Sequence, residues 1–364
     1  MAQPWAMLIL PNLTLRSRWC RPIYFVRLAP LIDVVFLLAG LGTILLGSEL
    51  FTNGIEWFGQ KLNVAEGAVG SIFAAIGTAL PETLIPFVAI LFSPGTSGTQ
   101  IGTGAILGAP FMLSTLAMFV SGLVVVMLRG RRAGALRLNV DRHIVSRDLR
   151  FFLAAYAIAI GTVFLPWRPA RLLVALGLAA IYGFYVYLHV REEANQNSAL
   201  APLHFHRRAQ NPHLHLVHTQ VLAGLGCILL GAESFVRGVD GLAESFAVPP
   251  LILALVLAPI ATELPEAFNS VLWIRQGKDT LALGNVTGAM VFQACIPTIL
   301  GITLTEWKLT SATLAAFVSA GIAAAASIVL IVAMRLSRRL SAPVLLLSGL
   351  WYIAYLAFLF AMHR

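Results

Sequence analysis

Residues 77–82 read Gly77-Thr78-Ala79-Leu80-Pro81-Glu82, and residues 261–266 read Ala261-Thr262-Glu263-Leu264-Pro265-Glu266. Each copy sits inside a long apolar segment, where a carboxylate costs about 2.5–3.5 kcal/mol on insertion scales. Glu82, Glu263 and Glu266 therefore need a compensating partner, and a cation is the natural one. Each proline removes a backbone donor and clashes with the preceding turn, which frees carbonyl oxygens and predicts an interruption of the helix. Thr78 and Thr262 lie four positions before Glu82 and Glu266, hence on the same helical face. Hydroxyl, carbonyl and carboxylate oxygens in one place suit Ca²⁺, which takes several hard oxygen ligands in a flexible arrangement, better than Zn²⁺.

Composition agrees with a membrane setting. Of 364 residues, 59% are hydrophobic and 11% charged, against about 25% charged in a soluble domain. Ten apolar stretches are each able to cross a bilayer as a helix: about 30–52, 66–92, 101–128, 151–166, 170–190, 219–236, 249–274, 280–304, 311–334 and 342–362. Residues 1–29 read as an N-terminal tail without a convincing signal peptide. Residues 191–218 read as a polar, histidine-rich central loop. The net charge of +9 belongs to short connectors and not to an aromatic-bearing soluble face, so nucleic acid is not an expected partner. The lipid bilayer is.

The chain repeats itself. Residues 38–54 and 222–238 match at 12 of 17 positions with an offset of 184, and the same offset pairs Thr78 with Thr262, Pro81 with Pro265 and Glu82 with Glu266. Five spans per unit is an odd number, so the second copy crosses the membrane in the opposite sense. The sequence thus predicts an all-α integral membrane protein of two inverted five-helix repeats, 30–190 and 219–364. Interrupted spans at matching positions of inverted repeats are the signature of secondary transporters, with the substrate near the midplane.

Orientation follows from Lys and Arg in the connectors. Arg129–Arg150 carries seven arginines; placing it inside puts 16 of the 25 Lys and Arg residues inside and both termini outside. The four arginines of the tail oppose this. A multi-pass protein of the cell (inner) membrane is expected.

These motifs, each followed by a Gly-x-x-x-Gly segment, resemble the alpha repeats of the calcium/cation antiporter superfamily, the sodium/calcium exchangers, over nearly the whole chain. That family's hallmark is Gly-Thr-Ser-Leu-Pro-Glu, and the resemblance implies ion-binding roles for Thr78, Glu82, Thr262 and Glu266. The hallmark serines are replaced by Ala79 and Glu263. The family's next helix carries Gly-Asn-x-x-Gly-Ser-Asn and a further Asn or Asp; here the ligand positions are Ala289 and Gln293 in the second repeat, Ala109 and Leu113 in the first. The candidate cation ligands are Thr78, Glu82, Thr262, Glu263, Glu266 and Gln293, weighted toward the second repeat. Fewer neutral oxygens and a third carboxylate favour a divalent ion or a titratable proton carrier over several Na⁺ ions.

The expected function is secondary active exchange of Ca²⁺ against Na⁺ or H⁺, with no cofactor and no enzymatic chemistry, since no span shows a nucleophile–base pair or His-Glu-x-x-His. A cation channel and a degenerate transporter acting as a sensor are the alternatives. Glu49 and Glu233 are a matched pair read as structural. His204, His206, His213, His215 and His218 are read as part of a solvated loop, with a regulatory metal as the other option. Asn285 and Thr287 are read as interhelical hydrogen-bonding groups. Cys20, Cys227 and Cys295 have no metal or disulfide spacing.

Overall fold

Helix α1, Ile23–Lys61, packs along its length against α6, Leu214–Phe246. Both carry glycine every seventh residue: Gly40, Gly47 and Gly54 on α1, Gly224, Gly231 and Gly238 on α6. A Cβ on Gly40 would stand 2.5 Å from the Phe235 backbone nitrogen, and one on Gly231 would stand 2.8 Å from that of Ile44. The two backbones touch because these residues have no side chain. Contacts descend α6 as they ascend α1, so the pair is antiparallel, as inverted repeats require.

The computed structural model describes residues 23–61, 74–93, 95–132, 136–193, 201–207, 211–337 and 340–362. Among these, ten helices follow in order. After α1 come α2, Ala74–Phe92, and α3, Gly95–Met112, which continues through a π-helical turn, Leu113–Ala117, into Met118–Met127. The first repeat closes with α4, Arg142–Gly161, and α5, Arg168–Glu193. The second comprises α6, then α7, Pro250–Arg275, α8, Asp279–Leu304, α9, Leu314–Ser337, and α10, Ala342–Met362. The protein is an all-α integral membrane bundle of two inverted five-helix repeats. Eight helices are long and apolar enough to cross a membrane, and the apolar stretch Leu80–Phe92 of α2 is shorter. In α4, Arg142, Arg147, Asp148 and Arg150 occupy the first half.

Local chemistry sets the ends. Asp141 caps α4 by accepting from the His143 N–H at 2.8 Å, satisfying one of the free donors of the first turn. Pro250 opens α7, where its missing N–H costs nothing. The chain turns out of α7 at Gly277, φ +77.

Three expectations are corrected. The helices containing Pro81 and Pro265 are not interrupted: α2 and α7 run continuously through Pro81, Pro86, Pro259 and Pro265. A proline deletes one rung of the ladder, and tight packing carries the helix across it. The basic segment Arg129–Arg150 is not all loop, because α4 begins at Arg142. Likewise α6 begins at Leu214, so His215 and His218 are helical.

The connectors sort onto two ends of the bundle. At one end Leu138 N–H donates to the Leu340 carbonyl at 2.9 Å and Ala342 N–H to that of Leu136 at 2.8 Å. Arg132 pairs there with buried Asp279, and Asp141 N–H donates to Thr280 Oγ1 at 2.9 Å. At this end also, the 201–206 strap docks on the α1–α6 pair: Trp57 Nε1 donates to the Ala201 carbonyl at 2.8 Å, and Gln220 Nε2 donates to Asn53 Oδ1 at 2.9 Å. At the other end Arg171 donates to the Glu306 carbonyl at 2.6 Å and Trp307 Nε1 to that of Ala159 at 3.0 Å. Alternate connectors meeting at alternate ends is the pattern ten crossings produce. Two apolar clusters fill the bundle, and α3 and α7 contribute to both, so they run between them.

Candidate cation site

Helices α2 and α7 bring the two copies of the repeated phrase together. One carboxylate oxygen from each of Glu82, Glu263 and Glu266 lies within 4.8 Å of the others. Their exposures are 5%, 0% and 4%. Glu263 and Glu266 are three apart on α7, neighbours on one helical face, and Glu82 meets them from α2. Among the described residues this is the one group of three or more His, Cys, Asp or Glu side chains so arranged. The described histidines form no such group.

Neighbouring polar groups orient the trio. Glu263 Oε1 accepts from Thr262 Oγ1 at 2.9 Å and from Gln293 Nε2, on α8, at 2.9 Å. The main-chain carbonyl of Glu266 accepts from Ser270 Oγ at 2.9 Å and from Asn285 Nδ2 at 3.3 Å, which ties α8 to α7 one turn below the carboxylates. Four buried oxygens then have no hydrogen-bond partner: Oε2 of Glu82, of Glu263 and of Glu266, and Oε1 of Gln293. Buried polar atoms in native structures are overwhelmingly paired, so four unpaired acceptor oxygens on the trio and on its neighbour Gln293 mark a place that a cation or a hydrogen-bond donor would complete.

The surroundings are apolar. A closely packed crevice beside Glu82, too narrow to hold a water, is lined by Ile85, Pro86, Ala105, Ala109, Ala258 and Thr262. Among the described residues the ion pairs lie elsewhere, at Arg132–Asp279, Arg147–Asp148, Glu49–His204, Glu233–Arg237 and Glu306–Lys308. Prolines at 86 and 297 leave the carbonyls of Glu82 and Gln293, four residues earlier, without an intrahelical N–H. An all-oxygen, anionic cage of this kind suits a hard cation.

Glu82, Thr262, Glu263, Glu266 and Gln293 are gathered at the trio. The side chain of Thr78 lies outside the described residues. Ala109 and Leu113 are buried. Asn285 and Thr287 do make interhelical hydrogen bonds, to the Glu266 carbonyl and to Asp148. Glu49 stands 3.4 Å from His204 of the strap, and Glu233 pairs with Arg237 one turn on. Cys227 and Cys295 are free thiols. Two polar groups are given no part in the site or its support by the sequence. Ser270 gave no signal beyond a small residue one turn after Glu266. Asp148 was assigned to a loop; the helix cap at Asp141 was the signal that would have moved it into α4.

Comparison with known proteins decides the family. The sequence profile described as sodium/calcium exchanger protein matches residues 32–191 and 218–361. The chain belongs to that family. Sodium/calcium exchanger MaX1 of Methanosarcina acetivorans is 25% identical to this family member, over 90% of its chain and 99% of MaX1. Among solved structures, the crystal structure of the H⁺/Ca²⁺ exchanger CAX has a TM-score of 0.65 at 17% identity, covering 93% of both chains. The sodium-calcium exchanger NCX_Mj, soaked with Na⁺ and Sr²⁺, has a TM-score of 0.56 at 20% identity, covering 90% of this chain and 99% of that one. At such identities the two structures speak for the fold.

Proposed function

We propose that the protein is a secondary active cation antiporter that binds Ca²⁺ at Glu82, Glu263 and Glu266 and exchanges it against Na⁺ or H⁺ by alternating access. The observation that carries this is the convergence of three buried carboxylates whose outer oxygens, with Gln293 Oε1, have no partner in the protein. Three like charges in an apolar surround repel one another, and either a divalent cation or protons relieve that repulsion. The two occupants therefore exclude each other, which is the elementary requirement of exchange.

Roles follow from position. Glu82 and Glu266 ligate directly from the two repeats. Glu263, held by Thr262 and Gln293, offers its free oxygen to the same ion or carries a proton. Thr78 and Thr262 supply hydroxyl oxygen, and Gln293 supplies its amide oxygen. The inverted repeats provide two exchangeable half-structures around one site. The arginine-rich end with Arg132 and Arg137 faces inward and both termini face outward, in a cell membrane, following the distribution of positive charge. Residues 30–190 and 219–364 are the two functional halves.

Proteoliposomes containing the purified protein test this. Saturable Ca²⁺ uptake driven by an outward Na⁺ or H⁺ gradient supports exchange. A unidirectional Ca²⁺ conductance without counter-transport would instead make it a channel, and the absence of any flux would make it a non-transporting sensor.

A further inference from the structure

Asp148 is a fully buried carboxylate, on α4, outside the trio. Its Oδ2 accepts from Thr287 Oγ1 of α8 at 2.8 Å, and its Oδ1 accepts from the Tyr185 hydroxyl of α5 at 3.2 Å. Arg147 Nε stands 3.6 Å from Oδ1; the guanidinium lies 6.0 Å from the Tyr185 ring centroid and 2.9 Å from His189 Nδ1. Three helices thus meet at one charged junction inside the bundle.

Close packing does not require it. In the first repeat the position matching Thr287 is Leu107 on α3. There the facing helix, α9, offers only the Ser319 hydroxyl, 3.4 Å from the Leu107 carbonyl. The same packing problem is solved without a carboxylate. A desolvated charge is costly to keep, so its presence on one side only asks what α8 does that α3 does not. The difference lies six residues on, where α3 has Leu113 and α8 has Gln293, whose amide holds Glu263. Six residues advance an α-helix by about 9 Å and turn it by roughly two-thirds of a revolution. Thr287 therefore faces α4 while Gln293 faces α7. Helix α8 is continuous between them, so a bond that fixes its rotation at Thr287 also fixes where the Gln293 amide points.

We infer that Asp148 and Thr287 are positioning residues for the cation site: their hydrogen bond sets the rotation of α8 and thereby seats Gln293 against Glu263. This rests on the reading of the trio as the cation site. It makes cation affinity depend on two residues that do not touch the cation.

A double-mutant cycle tests it with Ca²⁺ as the probe, reading the half-saturating concentration both for the rise in melting temperature of purified protein and for uptake. Gln293→Ala and Thr287→Val each raise it about tenfold, the size of losing a hydrogen bond to a charged group. The double variant is no worse than Gln293→Ala within a factor of about two, and Thr287→Ser restores the native value. Independent sites would multiply to within about twofold; that result, or an unchanged value in Thr287→Val, overturns the inference. An unchanged value in Gln293→Ala overturns the site reading itself and the inference with it. If Thr287→Val fails to fold, Thr287→Ala, which removes the same donor to Asp148, enters the cycle under the same criteria.

Discussion

Gln293 Nε2 donates to Glu263 Oε1 at 2.9 Å, across the interface between α8 and α7. With Thr262 Oγ1 on the same oxygen at 2.9 Å, one edge of the Glu263 carboxylate is fixed, and the other oxygen, Oε2, has no partner in the protein. Glu263 takes the serine's place in the hallmark Gly-Thr-Ser-Leu-Pro-Glu that residues 261–266 resemble. Replacing it by that serine, Glu263→Ser, removes a charge from the cage and strands the Gln293 amide. Ca²⁺ affinity is expected to fall by tenfold or more, since hydrogen bonds involving a charged group contribute about 1.5–3 kcal/mol. Isothermal titration of the purified variant with Ca²⁺ checks this, and an unchanged Kd would remove Glu263 from the site.

The counter-ion follows from what lines the crevice. Na⁺ needs neutral oxygens to replace its hydration, and the first-repeat wall of the crevice offers Ala105 and Ala109 in their place. Protons need only the carboxylates. A pH gradient is therefore expected to drive Ca²⁺ uptake into proteoliposomes faster than an equivalent Na⁺ gradient. Equal or greater rates with Na⁺ would show that backbone carbonyls, such as those released by Pro86 and Pro297, suffice as ligands.

The glycine seam between α1 and α6 has no room to spare. Gly40→Leu would push a side chain into the Phe235 and Gly231 backbone, whose atoms lie 2.5–2.8 Å from the added Cβ. Overpacking costs typically 1–3 kcal/mol when side chains are able to yield; here backbone would have to move, so the upper end is expected, as a clear drop in melting temperature. Gly42→Leu, at a position with open space around it, is the matched control and leaves the melting temperature within a degree or two.

Arg132 and Asp279 clamp the connector after α3 to the start of α8. Asp279 is wholly buried and also accepts from the Asn139 N–H at 2.8 Å. Arg132→Ala leaves that carboxylate without its cation and is expected to cost about 3–5 kcal/mol, whereas removing both charges with Arg132→Met and Asp279→Leu costs much less. Chemical denaturation in detergent distinguishes the two variants.

The sequence carried the architecture in its repeats. An offset of 184 shared by the glycine ladder and by Glu82 and Glu266 is enough to pair the helices and predict their opposite sense. It could not show that α2 and α7 pass through their prolines unbroken, because the loss of one hydrogen bond is a local fact and its repair depends on packing from neighbouring helices. Nor could it place Asp148. Among seven arginines Asp141 and Asp148 read as solvated counter-charges, and only the cap at Asp141, which starts α4 before the apolar run begins, carries Asp148 inside to meet Thr287. Gln293 was singled out by the resemblance of Gly284–Gln293 to the family's second motif, and the structure sets its amide on Glu263.

Direct Ca²⁺ binding to the purified protein and to the Glu82→Gln, Glu266→Gln double variant, at fixed pH, tests the central claim. Both side chains keep their size and lose their charge. Saturable binding by the native protein and none by the double variant, with both folded, is the predicted result; equal binding by the two would contradict the assignment of the carboxylate trio as the cation site.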